Sequence, residues 1–193
     1  EMAAFRLARR HGLSWKSIAL SAALVATVTI SANATLVQKF LDRGLRPSLS
    51  VDVETNVPGD MFNQMRSVLG LQRAIASAQG KTPVAAREVL EYATVEGARA
   101  NGLDAKVGTL APGKQADLIM LRTDRINVTP LNDPATAVVT GMDTGNVDTV
   151  LIAGRVMKRQ GRLLHVDWPA VRRMAAESRD YVVAKSGFKL PGI

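Results

Sequence analysis

The hydrophobic pattern of this chain changes near Gly102, and this change limits the folds that it can form. Before Gly102, apolar residues recur every three or four positions and segments end at glycine, which is typical of α-helices. After it, short apolar runs alternate with turn residues, which is typical of strands. Helical spacing returns after Asp167. We therefore predict an α/β protein with a helical region, a small β module and a closing helix.

The segment upstream of residue 54 has the order helix, glycine, strand. Leu36 to Leu41 has helical spacing and precedes Gly44, which predicts a helix that ends at a glycine. Residues 45–53 alternate between apolar and polar side chains, which predicts a short strand. The predicted faces of this strand are Leu45, Leu49 and Val51 on one side, and Arg46, Ser48 and Ser50 on the other.

Three more helices are predicted before the pattern changes. Asp60 follows a loop and precedes Met61, so its carboxylate is interpreted as a helix cap and not as a catalytic acid. Thr82 and Pro83 predict the N-cap and first residue of the next helix. A short helix is predicted from Thr94 to Ala100. The polar face of the middle helix is predicted to carry Glu88 and Glu91.

The β module is predicted from four apolar runs separated by turns. The runs are Asp117 to Leu121, Val147 to Ile152, Arg155 to Met157, and Leu163 to Leu164. Ala153-Gly154 and Gln160-Gly161 stand where hairpin turns belong. Lys114 follows a Pro-Gly turn and is expected to face solvent, and Asp117 is expected to open a strand. The closing helix is predicted from Asp167-Trp168-Pro169 to about Ala184.

Net charge and composition indicate which classes of binding partner to expect. The net charge is +8, but the basic residues are scattered and aromatic residues make up only 4% of the chain, so few side chains can stack on bases. Cysteine is absent, which excludes a disulfide framework and a thiolate metal site. The apolar run Ser17 to Ala34 follows basic residues as a signal peptide would, but it is rich in Ser, Thr and Ala. It is interpreted as a buried helix or strand in preference to a signal peptide, and least of all as a membrane span. We therefore expect a cytoplasmic protein without a nucleic-acid or membrane partner.

Two stretches around the pattern change carry a recognisable motif. The sequences are ATVEGARANGL at residues 93–103 and VGTLAPGKQADLI at residues 107–119. Together they resemble the amidohydrolase-superfamily pattern "AT-x-x-GA-x-A-x-GL … G-x-L-x-PGK-x-ADL". Residues 147–150, 153–156 and 160–163 resemble the closing hairpin of that family. The order and spacing of these pieces over about 70 residues make the resemblance specific.

Upstream residues resemble the deaminase and chlorohydrolase (ATZ/TRZ-like) branch of the same superfamily. They include residues 42–52, GDMFNQMR at residues 59–66, and Gln72-Arg73. The resemblance implies the C-terminal part of a metal-dependent hydrolase TIM barrel plus a small β-sandwich domain. A complete barrel takes about 250 residues, more than this chain has. The implied organisation is a divergent helix and apolar segment (1–35), barrel (36–104), β-sandwich (105–165), and helix with tail (166–193).

The resemblance also implies a site residue. Asp52 follows the predicted strand, where the family places an Asp that binds the catalytic metal and transfers a proton. Without the resemblance, Asp52 would be read as capping the loop that follows it. The family uses Zn or Fe with several His ligands, but this chain has only His11 and His165, neither in a ligand context. Asp52 is therefore the single catalytic and metal-binding candidate, and we do not expect this chain to retain the metal.

Two functions follow from these expectations. The first is metal-dependent hydrolysis of carbon–nitrogen bonds other than peptide bonds, such as deamination of a heterocyclic small molecule. The second is a catalytically inactive, truncated fragment that acts as a structural or oligomerisation module. An incomplete barrel would expose strand edges and apolar helix faces, so we predict either self-association, as in a homo-oligomer, or marginal stability.

Overall fold

The computed structural model describes residues 34–51 and 58–188. In chain order the elements are α1 (Ala34–Leu41), α2 (Met61–Gln79), α3 (Ala86–Tyr92), α4 (Val95–Ala100), β1 (Leu118–Leu121), α5 (Pro134–Thr136), β2 (Val147–Ile152), β3 (Arg155–Arg159), β4 (Arg162–Leu163) and α6 (Trp168–Ser186). A π-helical turn (Ala137–Gly141) and a 3-10 turn (Thr144–Asn146) lie between α5 and β2. The predicted order of helical region, β module and closing helix is confirmed.

Helix α2 forms as its sequence predicts. The Asp60 carboxylate accepts a hydrogen bond from the Asn63 backbone N–H at 2.9 Å, so its predicted capping role is confirmed. The helix ends at Gly80, whose φ of +63° is the left-handed conformation that glycine adopts at little cost.

The predicted start of α3 at Thr82-Pro83 is wrong. The helix begins at Ala86, because the Glu88 carboxylate accepts a hydrogen bond from the Ala85 backbone N–H at 2.8 Å and closes the first turn there. Glu88 therefore caps the helix and does not simply occupy its polar face. Helix α4 begins and ends within one residue of its prediction.

The described part of the predicted strand at 45–53 is extended but makes only a single bridge, at Leu49. Its predicted alternation is wrong at two positions, since Leu45 is 38% exposed and Ser48 is buried at 6%. Pro47, Ser48 and Leu49 are buried in succession. The segment is enclosed over these three residues instead of presenting one face to a core.

The four strands form an antiparallel meander in the order β1-β2-β3-β4. Both predicted hairpin turns are confirmed. Ala153 and Gly154 have φ of +49° and +78°, and Gln160 and Gly161 have φ of +50° and +75°. Positive φ at both central residues is the geometry of a type I′ turn, whose twist matches that of the flanking strands.

The hydrophobic core lies between α2, α3 and the π-helical turn. It contains Leu49, Phe62, Met65, Val68, Leu69, Val84, Ala86, Val89, Tyr92, Val128, Val139 and Met142. Arg66 links α2 to the π-helical turn. Its guanidinium donates to the Thr140 carbonyl at 3.0 Å and to the Met142 carbonyl at 2.7 Å. These bonds satisfy carbonyls near the end of the π-helical turn.

The sheet and α6 are much less enclosed than the helical region. Ile119 and Met120 of β1 are 53% and 56% exposed, and helix α6 has no buried residue. Across the described ranges, no helix is both long and apolar enough to cross a membrane.

The loop before β1 corrects one expectation. Lys114 does not extend into solvent, because its ammonium donates to the carbonyls of Asp104 and Val107 and ties the loop together. Asp117 opens β1 as predicted, and its carboxylate also accepts a hydrogen bond from the Ala153 backbone N–H.

Candidate functional site

Asp52, the predicted catalytic and metal-binding residue, lies outside the described residues, as does His11. His165 follows β4, is exposed, and has a φ of +59°. Of these three residues, His165 alone lies in the part of the chain that the structure describes, so the role of Asp52 stays a prediction. The structure describes the chain up to Val51, directly before Asp52, and again from Pro58.

The segment that leads to Asp52 is tied to α3. The Leu49 backbone N–H donates to the Tyr92 carbonyl at 3.1 Å. Leu49 is 6% exposed and Tyr92 is 1% exposed, so this bond is shielded from water on both sides. It sets the position of the backbone three residues before Asp52.

A cluster of charged side chains holds the same segment at Arg46, three residues before Leu49. We call Arg46, Glu91, Tyr92, Glu96 and Arg99 the Arg46 cluster. The Glu96 carboxylate accepts from Arg46 and from Arg99, each at 2.8 Å, although Glu96 itself is only 7% exposed. Arg46 also pairs with Glu91 at 2.5 Å, and its guanidinium carbon lies 5.4 Å from the centre of the Tyr92 ring.

The surroundings within the Arg46 cluster raise the pKa of both Arg46 and Tyr92. Burial acts to lower the pKa of Arg46, but the nearby charges, Glu96 first, outweigh burial and raise that pKa. Burial and then the charge of Glu88 raise the pKa of Tyr92 to about 12. Arg46 is therefore held protonated and Tyr92 neutral at physiological pH.

Sequence reasoning missed the Arg46 cluster. Arg46, Glu96 and Arg99 belong to the family-like motifs, yet Arg46 was assigned only to the polar face of a strand, and Glu91 to a polar helix face. Arg46 is separated by 45 residues from Glu91 and by 50 from Glu96. No local spacing rule links side chains that far apart, so the only available signal was the unusual presence of Glu96 beside small apolar residues.

The chain that follows Asp52 is also tied down where it resumes. Asp60 accepts from both the backbone and the side-chain N–H groups of Asn63, at 2.9 and 2.6 Å. Asn63 in turn accepts a hydrogen bond from Arg66 at 3.3 Å. Residues 52–57 thus join two anchored ends, Leu49 on one side and Asp60 on the other.

A cleft of about 330 Å³ opens between α1, α2 and the chain before α3. Its lining is Gln38, Leu41, Asp42, Gln72, Thr82, Pro83, Val84 and Glu88. Lys81 pairs with Asp42 at 2.8 Å, and this bond together with one from Gln38 lowers the pKa of Asp42. The carboxylates of this cleft already have cationic or N–H partners.

The described residues do not fit a catalytic metal site. Within residues 34–51 and 58–188, no three His, Cys, Asp or Glu side chains are grouped so that they could hold a metal ion. A catalytic zinc centre normally takes three protein ligands and keeps an open position. We therefore derive no reaction step through a metal from these residues.

Comparison with known proteins matches this chain to one protein family and to a deaminase relative. The sequence model of the amidohydrolase family matches residues 5–157. The 5′-deoxyadenosine deaminase of Methanothermobacter thermautotrophicus is 38% identical over 128 residues, which are 66% of this chain and 29% of that protein.

Solved structures extend the comparison to the fold. The zinc-bound adenosine deaminase of Xanthomonas campestris superposes with a TM-score of 0.69 at 28% identity, over 75% of this chain and 33% of that one. The zinc-complexed atrazine chlorohydrolase of Arthrobacter aurescens superposes with a TM-score of 0.64 at 22% identity, over 75% of this chain and 31% of that one. The second likeness concerns the fold alone. The chain spans about a third of the length of these proteins.

Proposed function

This chain belongs to the amidohydrolase family, and on that premise we propose that it contributes to a metal-dependent enzyme that hydrolyses carbon–nitrogen bonds other than peptide bonds. The observation that carries the proposal is the family match over residues 5–157, together with 38% identity to a deaminase. The resemblance to the deaminase and chlorohydrolase branch agrees with both structural neighbours.

The substrate class that we propose is an adenine nucleoside. The names of the deaminase relative and of the deaminase structure both specify an adenine nucleoside. In such a reaction water adds to the ring carbon that bears the exocyclic amine, the carbon–nitrogen bond breaks, and ammonia leaves. A group that accepts a proton from water and passes it to the departing nitrogen is needed.

Asp52 is our proposed proton carrier and one ligand of the metal. A carboxylate is suited to both tasks. Support comes from its place directly after a segment that is anchored at Leu49 and at Arg46. Zinc is bound in the Xanthomonas campestris deaminase structure. The described residues supply no complete ligand set, so the remaining ligands would have to come from outside them.

The larger architecture is also a proposal. We place residues 36–104 in the last part of a TIM barrel and residues 105–165 in a small β-sandwich domain, with a helix and tail from 166 to 193. The order α1, extended segment, α2 supports the first assignment. The antiparallel meander of β1 to β4 supports the second.

The alternative function is that of an inactive module that supports structure or self-association. The whole sequence has only two histidines, fewer than the family's metal site uses. The exposed apolar side chains of β1 and α6 favour association with another surface. The predicted cytoplasmic location and homo-oligomeric state stay predictions.

A single set of variants separates the two functions. The purified chain, supplied with zinc, is assayed for ammonia release from adenosine and 5′-deoxyadenosine and for bound metal by elemental analysis. Asp52→Asn should abolish turnover and reduce bound zinc, whereas Asp60→Asn, which alters only a helix cap, should retain both. Absence of stoichiometric metal and of Asp52-dependent turnover in the unmodified chain would favour the inactive module.

A further inference from the structure

The hairpin formed by β3 and β4 carries an unusual excess of positive charge. Residues 155–165 contain Arg155, Lys158, Arg159 and Arg162 and no Asp or Glu. In the part of the chain that the structure describes, none of these four side chains takes part in an ion pair. The hairpin segment itself is therefore positively charged, and the acidic residues that adjoin it are Asp148 on β2 and Asp167 before α6.

Two of these cations face one another. Arg159 and Arg162 are directly opposite across the β3–β4 ladder, beside the Gln160-Gly161 turn. Like charges at directly opposite positions destabilise a strand pair, because their side chains lie on the same face about 5 Å apart. Of this pair, Arg162 lines the groove that adjoins the hairpin and Arg159 does not.

A groove of about 650 Å³ adjoins the hairpin. It is lined by Lys158, Gly161, Arg162, Leu163, Leu164 and Trp168. Trp168 is the first residue of α6 and is 46% exposed. Its position is fixed by the Asp167 cap, whose carboxylate accepts from the Ala170 backbone N–H at 3.0 Å. The lining thus combines two cationic side chains, two leucines and one aromatic ring.

We propose that this groove binds a free nucleoside phosphate. Arg and Lys side chains bind phosphate oxygens through charge-assisted hydrogen bonds, and an indole ring offers a face on which a base can stack. The volume lies in the range of small-molecule sites, about 300–1,000 Å³. With a single aromatic ring in its lining, the groove holds one base and not a strand. This inference does not depend on the proposed deaminase activity.

The site can be observed directly through its tryptophan. The chain has two tryptophans, so Trp15→Phe leaves Trp168 as the only one. In this background, ADP should quench the Trp168 fluorescence in a saturable manner. Pyrophosphate should bind more weakly than ADP because it lacks the ring, and adenosine more weakly still because it lacks the charges. An absence of saturable quenching by ADP would overturn the proposal.

Arg162→Glu is the decisive variant, because it places a carboxylate opposite Arg159 and should strengthen the hairpin. Weaker binding in this variant therefore cannot be explained by unfolding. We expect the Kd for ADP to rise about tenfold. Arg125→Glu makes the same charge change at an exposed residue outside the groove and should leave the Kd within about twofold.

Two further measurements test the ligand class. Trp168→Leu removes the fluorescent side chain, so its binding is measured by isothermal titration calorimetry, where it should weaken ADP binding several-fold while leaving pyrophosphate binding unchanged. Equal losses for both ligands, or equal effects of Arg125→Glu and Arg162→Glu, would overturn the site. Binding of a ten-nucleotide RNA much tighter than that of ADP would overturn the assignment to a free nucleotide.

Discussion

The Glu96 carboxylate lies 2.8 Å from the Arg46 guanidinium, and Glu96 is 7% exposed while the Arg46 side chain is 39% exposed. One partner is therefore buried and the other reaches solvent. This pair connects helix α4, which belongs to the family motif, to the segment that precedes Asp52. Helix α4 thus helps to position the segment that leads to Asp52, the proposed catalytic residue.

Replacing Glu96 by Gln should destabilise the chain by about 1–2 kcal/mol. The variant removes the negative charge shared by Arg46 and Arg99, and the half-exposed arginines limit the loss through solvation. Urea unfolding measures the change. Glu177→Gln is the matched control, because the Glu177–Arg173 pair on α6 is 3.9 Å apart and exposed on both sides. Equal effects of the two variants would contradict the anchoring role of Glu96.

Alkaline pH should unfold the protein partly through Tyr92. Burial raises the pKa of Tyr92 to about 12 in the folded state, from the ordinary tyrosine value of 10.0. The stability that this difference contributes is present below pH 10 and is lost as the pH rises through the folded-state pKa. A Tyr181→Phe variant leaves Tyr92 as the only tyrosine, so its titration can be followed by absorbance. Tyr92→Phe should flatten the loss of stability between about pH 10 and 12; an unchanged slope would count against the raised pKa.

Gly108→Ala should be far more harmful than Gly113→Ala. Both glycines have a left-handed backbone, with φ of +90° and +85°, so both variants incur a similar strain of about 1–2 kcal/mol. A Cβ at Gly108 would also lie 2.6 Å from the Ala98 Cβ, whereas a Cβ at Gly113 has no neighbour within 4 Å. The steric overlap should add about 1–3 kcal/mol, measurable by thermal unfolding. Equal melting temperatures for the two variants would exclude close packing of this loop on α4.

Arg66→Ala should loosen the π-helical turn. Two carbonyls, those of Thr140 and Met142, would lose their guanidinium donor, at an expected total of about 1–3 kcal/mol. Hydrogen exchange should then accelerate in residues 137–142. Arg73→Ala, an exposed position on the same helix α2, serves as the control and should leave exchange there unchanged.

Local structure was largely predictable. The strands β1 to β4, both hairpin turns, the cap at Asp60 and the start of α6 follow from apolar spacing and turn residues within a few positions of one another. The predicted start of α3 was wrong. Thr82 and Pro83 have the pattern of a helix start, but the helix begins at Ala86, where the Glu88 side chain accepts a hydrogen bond from the Ala85 backbone N–H. For the candidate site, the sequence supplied Asp52, which the described residues do not include.

By itself, the sequence determined the order of helices and strands, the places of the hairpin turns, and membership of the amidohydrolase family. These depend on neighbouring residues and on motifs in a fixed order. Only the tertiary structure decided that Arg46 pairs with Glu91 and Glu96, that Ser48 is enclosed, and that Lys158, Arg162 and Trp168 share one groove. These contacts join residues that are far apart in sequence or depend on how whole elements pack, and no local spacing encodes them.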